Sequence, residues 1–266
     1  MKWLDNLLKR NQKIGLALSG GATLGAAHIG VLQVLEREGI KPDFVAGTSV
    51  GALIGAIYCA GLPLKELEEI FLTMKWPSLI KLSIPKPLAL FDMQPMDSVI
   101  KKIIGDCDFK DLEIPFAAIS CDLMTGQRVV LDSGPVSPAI RSSASVPGIF
   151  TPVELNGRLL VDGGVVDNLP VEQVRAMGAQ FVIASDVSNR GENTRRPENL
   201  FDVLQTMFNI MQYRGALAAS DECDCYIRPD VTKFSCWGFT EGPQILEEGK
   251  LAAEKALPQL TRFRKK

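Results

Sequence analysis

Asp43-Phe44-Val45-Ala46-Gly47-Thr48-Ser49-Val50-Gly51-Ala52 is the stretch on which the fold of this chain turns. Asp43 to Gly47 reads as a short strand. From Val50 to Ala60 a helix follows, crowded with the small residues Gly51, Ala52, Gly55, Ala56 and Ala60, which let it lie close to a sheet. Between the two, Gly47-Thr48-Ser49-Val50-Gly51 has the spacing Gly-x-Ser-x-Gly. In that pattern a serine on a strained strand-to-helix turn exposes its hydroxyl, and the glycines remove side chains that would collide with the sheet or an incoming substrate. The N–H groups just after Ser49 then lie at a helix N-terminus, unpaired within the helix and oriented to stabilise negative charge.

Upstream, Lys13 to Ser19 is short, mostly apolar and ends at a glycine pair, so it reads as a buried strand running into the loop Gly20 to Gly25. Ile29, Leu32 and Leu35, with Val31 and Val34, then recur at helical spacing until Glu38-Gly39, where glycine supplies a left-handed stop. Strand, helix, strand, helix predicts parallel pairing with right-handed crossovers, hence an α/β layer architecture. Downstream, Pro115–Cys121, Arg128–Leu131, Arg158–Val161, Phe181–Ser185 and Cys225–Arg228 are strand-like. Val171–Met177 and Glu198–Ala219 read as helices, and Glu241–Leu260 as a closing helix broken near Pro258. Trp76 to Pro95 holds four prolines among apolar residues and cannot be one regular element. It reads either as a hydrophobic cover over a binding cleft or as a loop packed on the core.

The 266 residues are 46% apolar and 23% charged, enough for a large core, and the formal charge of -2 gives no reason to expect nucleic acid as a partner. Charges interrupt the N-terminal residues before a signal-peptide core can form, and no apolar run reaches the ~20 residues of a membrane-spanning helix. The six cysteines lack the spacing of a disulfide framework or a structural zinc site. A cytoplasmic protein is expected, with any membrane contact peripheral, through Trp3, Leu4, Leu7 and Leu8 on one helical face. No metal or other cofactor is expected, and oligomeric state is left open.

A serine hydroxyl needs a base, and the usual one is a histidine downstream of the elbow. There is none: the only histidine, His28, precedes Ser49 and reads as a packing or supporting residue. Asp162-Gly163-Gly164 offers a carboxylate at a strand end, with two glycines that allow close backbone approach. Asp122 and Asp167 are competing carboxylates, better read as holding turns. An aspartate base has an energetic weakness, a reference pKa about 2.6 units below histidine, or roughly 3.5 kcal/mol of proton affinity. A desolvated pocket or a strong oxyanion hole must compensate. Gly20-Gly21-Ala22-Thr23-Leu24-Gly25 can supply the latter through successive N–H groups. The alternative, a nucleotide-phosphate loop, fits neither the dinucleotide nor the P-loop spacing.

These motifs, in this order, resemble those of bacterial patatin-like phospholipases. Ser142 to Phe150, Cys121 to Gly126 and Asp167-Asn168-Leu169-Pro170 resemble segments of the same family. The resemblance implies a three-layer α/β/α sandwich around a mainly parallel sheet and a Ser49–Asp162 dyad framed by Gly47, Gly51, Gly163 and Gly164. It also implies an oxyanion hole from Gly20, Gly21 and Ala22, and metal-free cleavage of lipid or acyl esters. A catalytically weak lipid-binding or regulatory member of the family is the alternative. One hydrolase domain over 13–260 is expected, between an N-terminal tail or short amphipathic helix (1–12) and a basic tail (261–266). Many members carry Arg or Lys where this chain has Leu24, which makes headgroup-bearing substrates less secure than simple acyl esters.

Overall fold

The computed structural model describes residues 12–83, 88–188, 196–236, 238 and 240–264. In chain order they form β1 (Ile14–Leu18), α1 (Ala26–Arg37), β2 (Phe44–Thr48), α2 (Val50–Cys59), α3 (Leu64–Thr73), β3 (Lys81–Leu82), β4 (Phe91–Asp92), α4 (Gln94–Ile104), β5 (Phe116–Asp122), β6 (Arg128–Leu131), α5 (Val136–Ser143), β7 (Val153–Leu155), β8 (Arg158–Asp162), α6 (Val171–Ala176), β9 (Phe181–Ser185), α7 (Leu200–Ser220), β10 (Cys225–Ile227) and α8 (Gly242–Leu260), joined in places by 3₁₀ turns. The main sheet has the order β10-β9-β1-β2-β5-β8-β7, with β6 also paired to β5. From β10 to β5 every pairing is parallel, whereas β6, β8 and β7 are antiparallel additions.

Side chains alternate across the parallel strands, as the two-residue period of a strand requires. Leu16, Leu18, Val45, Phe116 and Ile183 join α1, α2 and α8 in one buried core. Ala17, Ala46, Ala117, Val182 and Ala184 face the other way, toward α6 and Ala216 of α7. Register sets Ala117, Ala46, Ala17 and Ala184 side by side on four adjacent strands, a row of methyl groups over which a helix can pack closely. Helices on both faces of a mainly parallel sheet make the α/β/α sandwich.

Several elements depart from the sequence reading. α3 and α4 lie where no helix was expected; α3 buries Leu64, Leu67 and Phe71 at helical spacing, and α4 buries Met96 and Ile100. β7 was missed as well. It forms a hairpin with β8 through Asn156-Gly157, whose φ angles of 53° and 72° match the two-residue turn that such a dipeptide favours. Pro258 does not break α8, which runs through to Leu260. It sits on the exposed side of the last turn, where water can satisfy the carbonyl it deprives of a donor. Within Trp76–Pro95 the chain makes a 3₁₀ turn at Trp76–Leu79, pairs β3 with β4, and enters α4 with proline in its first turn. Residues 1–11, 84–87 and 265–266 lie outside the described residues, and with them the N-terminal apolar face. Among the described residues no helix is long and apolar enough to cross a membrane.

The site is positioned by one strand. β2 pairs with β5 as far as Thr48 opposite Ile119, and β8 pairs with β5 beginning at Asp162 opposite Ser120. Since β6 occupies the other edge of β5 at these residues, β2 and β8 share one edge and meet end to end. The chain leaves β2 through Ser49 and leaves β8 through Asp162, at neighbouring points.

Candidate active site

Ser49 has φ 55° and ψ −120°, a sparsely populated backbone conformation of the kind that costs about 1–3 kcal/mol and survives only where its surroundings enforce it. The enforcement is local. A Cβ on Gly47 would lie 2.3 Å from the Gly51 carbonyl oxygen, and one on Gly51 would lie 2.4 Å from that of Leu18, so only glycine lets this turn close on the sheet. The Ser49 N–H donates to Ser143 Oγ (2.9 Å), which itself donates to the Ile119 carbonyl (2.5 Å), and Thr48 Oγ1 donates to the Asp167 carbonyl (2.8 Å). Ser143 thus braces the elbow from α5. Its neighbour Ser145 donates to the Arg141 carbonyl.

Asp162 is fully buried. Its Oδ1 accepts the Gly164 N–H (2.8 Å), while among the described residues Oδ2 has no hydrogen-bond partner. Burial pushes its pKa up from 3.8 to about 7, opposed by the Ser49 hydroxyl and by the Gly164 N–H. A Cβ on Gly163 would come within 2.4 Å of the Ile119 carbonyl oxygen, so glycine there permits the approach of β8 to β5.

The competing carboxylates are engaged elsewhere. Asp122 accepts the Met124 N–H at 2.9 Å and holds a turn, as expected. Asp167 differs from expectation, since its carboxylate pairs with Arg128 at 2.9 Å. Burial raises its pKa and the guanidinium opposes that rise.

The glycine-rich loop corrects one expectation. The Gly20 N–H is directed at Asn168, with the carbonyl and Oδ1 both at 3.2 Å, so it is not a free donor. Among the described residues the Gly21 and Ala22 N–H groups have no partner, and Ala22 turns through a positive φ of 52° as the loop enters its 3₁₀ turn. Below the loop, His28 Nε2–H donates to the Ser19 carbonyl (2.9 Å). Its Nδ1 must then be the acceptor for the Ser185 hydroxyl (2.8 Å). Burial lowers its pKa from 6.5 to about 4, so the ring is neutral and ties the exits of β1 and β9 together. Leu24 is fully buried in the core and does not line the cleft.

The cleft above these groups has a volume of about 300 Å³. Ser49, Gly21 and Ala22 meet walls of Leu53, Met96, Ile149 and Phe208, with Phe91 of β4 and Phe201 of α7 also lining it. Gln212 of α7 is buried at its edge, and a methyl group at Gly20 or Gly164 would approach its Nε2 to 2.6 or 2.7 Å. Neither Gln212 nor the brace at Ser143 was identified from the sequence. Gln212 carries no local signal, while Ser143 entered the sequence reading as part of the family-like segment Ser142 to Phe150, with no role at the elbow. Among the described residues no three His, Cys, Asp or Glu side chains converge in a way that could hold a metal.

A strained serine turn at the carboxyl end of a parallel strand, between two helical layers, places the molecule in the class of α/β proteins built on a nucleophile elbow. The sequence pattern of the patatin-like phospholipase family matches residues 16–175, and the chain belongs to that family. An uncharacterized NTE family protein of Mycobacterium tuberculosis is 34% identical over 174 residues, covering 65% of this chain and 48% of the relative. The lysophospholipase NTE1 of Scheffersomyces stipitis is 31% identical over 279 residues, covering 92% of this chain and 18% of that protein. The chain thus spans about half the length of the first of these relatives and less of the second. Among solved structures, VipD from Legionella pneumophila superposes with a TM-score of 0.55 at 13% identity, over 93% of this chain and 67% of that one, which is a likeness of fold.

Proposed function

We propose that this chain hydrolyses carboxylic ester bonds of lipids, with Ser49 as nucleophile and Asp162 as base. Asp162 takes the hydroxyl proton as Ser49 Oγ bonds to the acyl carbon. The oxyanion that forms is held by the Gly21 and Ala22 N–H groups, with Gly20 leaving space beside Ser49. Collapse breaks the ester C–O bond, the proton passes from Asp162 to the departing alcohol, and an acyl-Ser49 ester remains. Water then attacks that ester and gives its proton to Asp162. When the second intermediate collapses, the proton returns to Ser49 and the product leaves as a carboxylic acid, which gives up its remaining proton to water. The acyl chain lies along the apolar cleft.

The observation that carries this reading is the buried Asp162 carboxylate, with one oxygen unpartnered beside a strained serine. A pKa raised from 3.8 to about 7 adds roughly 4 kcal/mol of proton affinity, enough to close the deficit of an aspartate against a histidine. The name of the Scheffersomyces relative, a lysophospholipase, supports a lipid ester as substrate. A fluorophosphonate probe should label the wild-type chain at Ser49. Ser49→Ala should abolish labelling and lower turnover of a short-chain p-nitrophenyl ester by at least about 10³-fold, with an unchanged circular dichroism spectrum. Retained turnover in that variant would overturn the assignment.

A further inference from the structure

α7 is apolar on two opposite sides, yet of its 21 residues only Gln212 and Ala216 are buried. One side, through Phe201, Gln205, Phe208 and Gln212, lines the cleft. At about 100° per residue, Leu200, Val203, Met207, Ile210 and Leu217 fall on the opposite side. They stand in solvent, Leu200 71% exposed, Met207 56% and Ile210 53%. A helix with apolar residues on both sides is ordinarily covered on both. The β3–β4 segment repeats the arrangement. Ile80 and Phe91 line the cleft, while Leu82 and Leu88 are 67% and 62% exposed.

We propose that the outer side of α7, together with Leu82 of β3 and Leu88 ahead of β4, forms a docking surface for a lipid–water interface, seated around the mouth of the cleft. Continuity argues for this occupant: both elements that wall the cleft also expose apolar side chains outward, so a lipid drawn from an aggregate passes from one apolar environment to the next. Charge argues the same way. On α7 the only charged residues are Asp202, hydrogen-bonded to Asn199, and Arg214, while Lys81 of β3 pairs with Asp92 of β4 at 3.5 Å. At the same spacing the exposed Arg214 falls among the outer apolar residues, a lone basic group rather than the cluster that anionic headgroups require, and the described surface has few directional groups of the kind that set register in a protein interface. Apolar insertion into zwitterionic lipid fits it, with little dependence on salt.

The proposal rests on the hydrolase reading only in taking the substrate's own phase as the occupant, and vesicle binding is measured without turnover. Full-length chain carrying Ser49→Ala is floated with phosphatidylcholine vesicles, alone and with Met207→Glu plus Ile210→Glu, or with Leu82→Glu plus Leu88→Glu. Each pair should lower vesicle partitioning by about tenfold or more, and added salt should leave the parent's partitioning unchanged. In the Ser49 background, the same pairs should leave turnover of a water-soluble short-chain ester within about twofold of wild type. Equal partitioning of parent and variants overturns the proposal. So does a parent that sediments as a dimer which the α7 pair splits, since the surface would then seat a second copy. Failure of soluble-ester turnover in the wild type would defeat the hydrolase reading and leave the partitioning result standing.

Discussion

The seam where β2 and β8 meet on β5 and the helix α7 both border one cleft, yet the seam and the outer side of α7 are built in opposite ways. At the seam every group is held. Ser49 is fixed by Ser143, Thr48 by the Asp167 carbonyl, and Gly163 sits where no side chain fits. Among the described residues the buried side-chain atoms left without a partner there are Asp162 Oδ2 and Asn168 Nδ2. On α7 apolar side chains stand bare and little constrains them. On the proposed reading the contrast separates two demands on one protein: reacting atoms would have to be held to a fraction of an ångström in a dry setting, whereas a surface meeting a fluid phase would need area and no register.

The contrast can be broken from either side. The largest effect is expected from Asp162→Asn, which should lower ester turnover by about 10²–10⁴-fold. The same change should raise stability at alkaline pH. In the wild type the native state keeps a proton that the unfolded chain releases between pH 3.8 and about 7, so unfolding free energy falls as pH climbs through that window, by up to about 4 kcal/mol. The asparagine variant loses none of this, so denaturant melts at pH 5 and pH 8 should show its advantage growing with pH. For the wild type, kcat/KM should climb with pH through about 7, as Asp162 ionises.

Next in size, Gly163→Ala forces a methyl group to within 2.4 Å of the Ile119 carbonyl and should cost about 1–3 kcal/mol in a thermal melt, with loss of turnover as β8 is pushed from β5. The smallest effect is expected on α7: Met207→Glu should change unfolding free energy by no more than about 0.5 kcal/mol, since the side chain is exposed. A large loss there would mean that the outer side of α7 is part of the fold's support and would erase the contrast.

What could be read from the sequence was what local chemistry dictates. The elbow at Gly47–Gly51, the Asp162-Gly163-Gly164 turn and the first two strand–helix units are set by residue identity over a few positions, because glycine is the only residue those close approaches admit. The extent of α7 was legible as well, as the long helix expected at Glu198–Ala219. Its bareness was not, since exposure depends on what other segments do. The antiparallel entry of β8 and the diversion of the Gly20 N–H to Asn168 arise from pairings between distant segments, which leave no periodic trace. The hairpin at Asn156-Gly157 did have a local signal, an Asn-Gly pair between apolar residues, but only its second strand was anticipated.

The meeting of β2 and β8 on β5 also governs when the molecule can acquire its chemistry. During synthesis the N-terminal strand–helix units can form first, but Asp162 arrives only with the much later β7–β8 hairpin, which docks antiparallel onto β5. A nascent or truncated chain ending before residue 162 would hold the proposed nucleophile without its proposed base, so the proposed ester cleavage would be tied to the addition of β8 to the sheet.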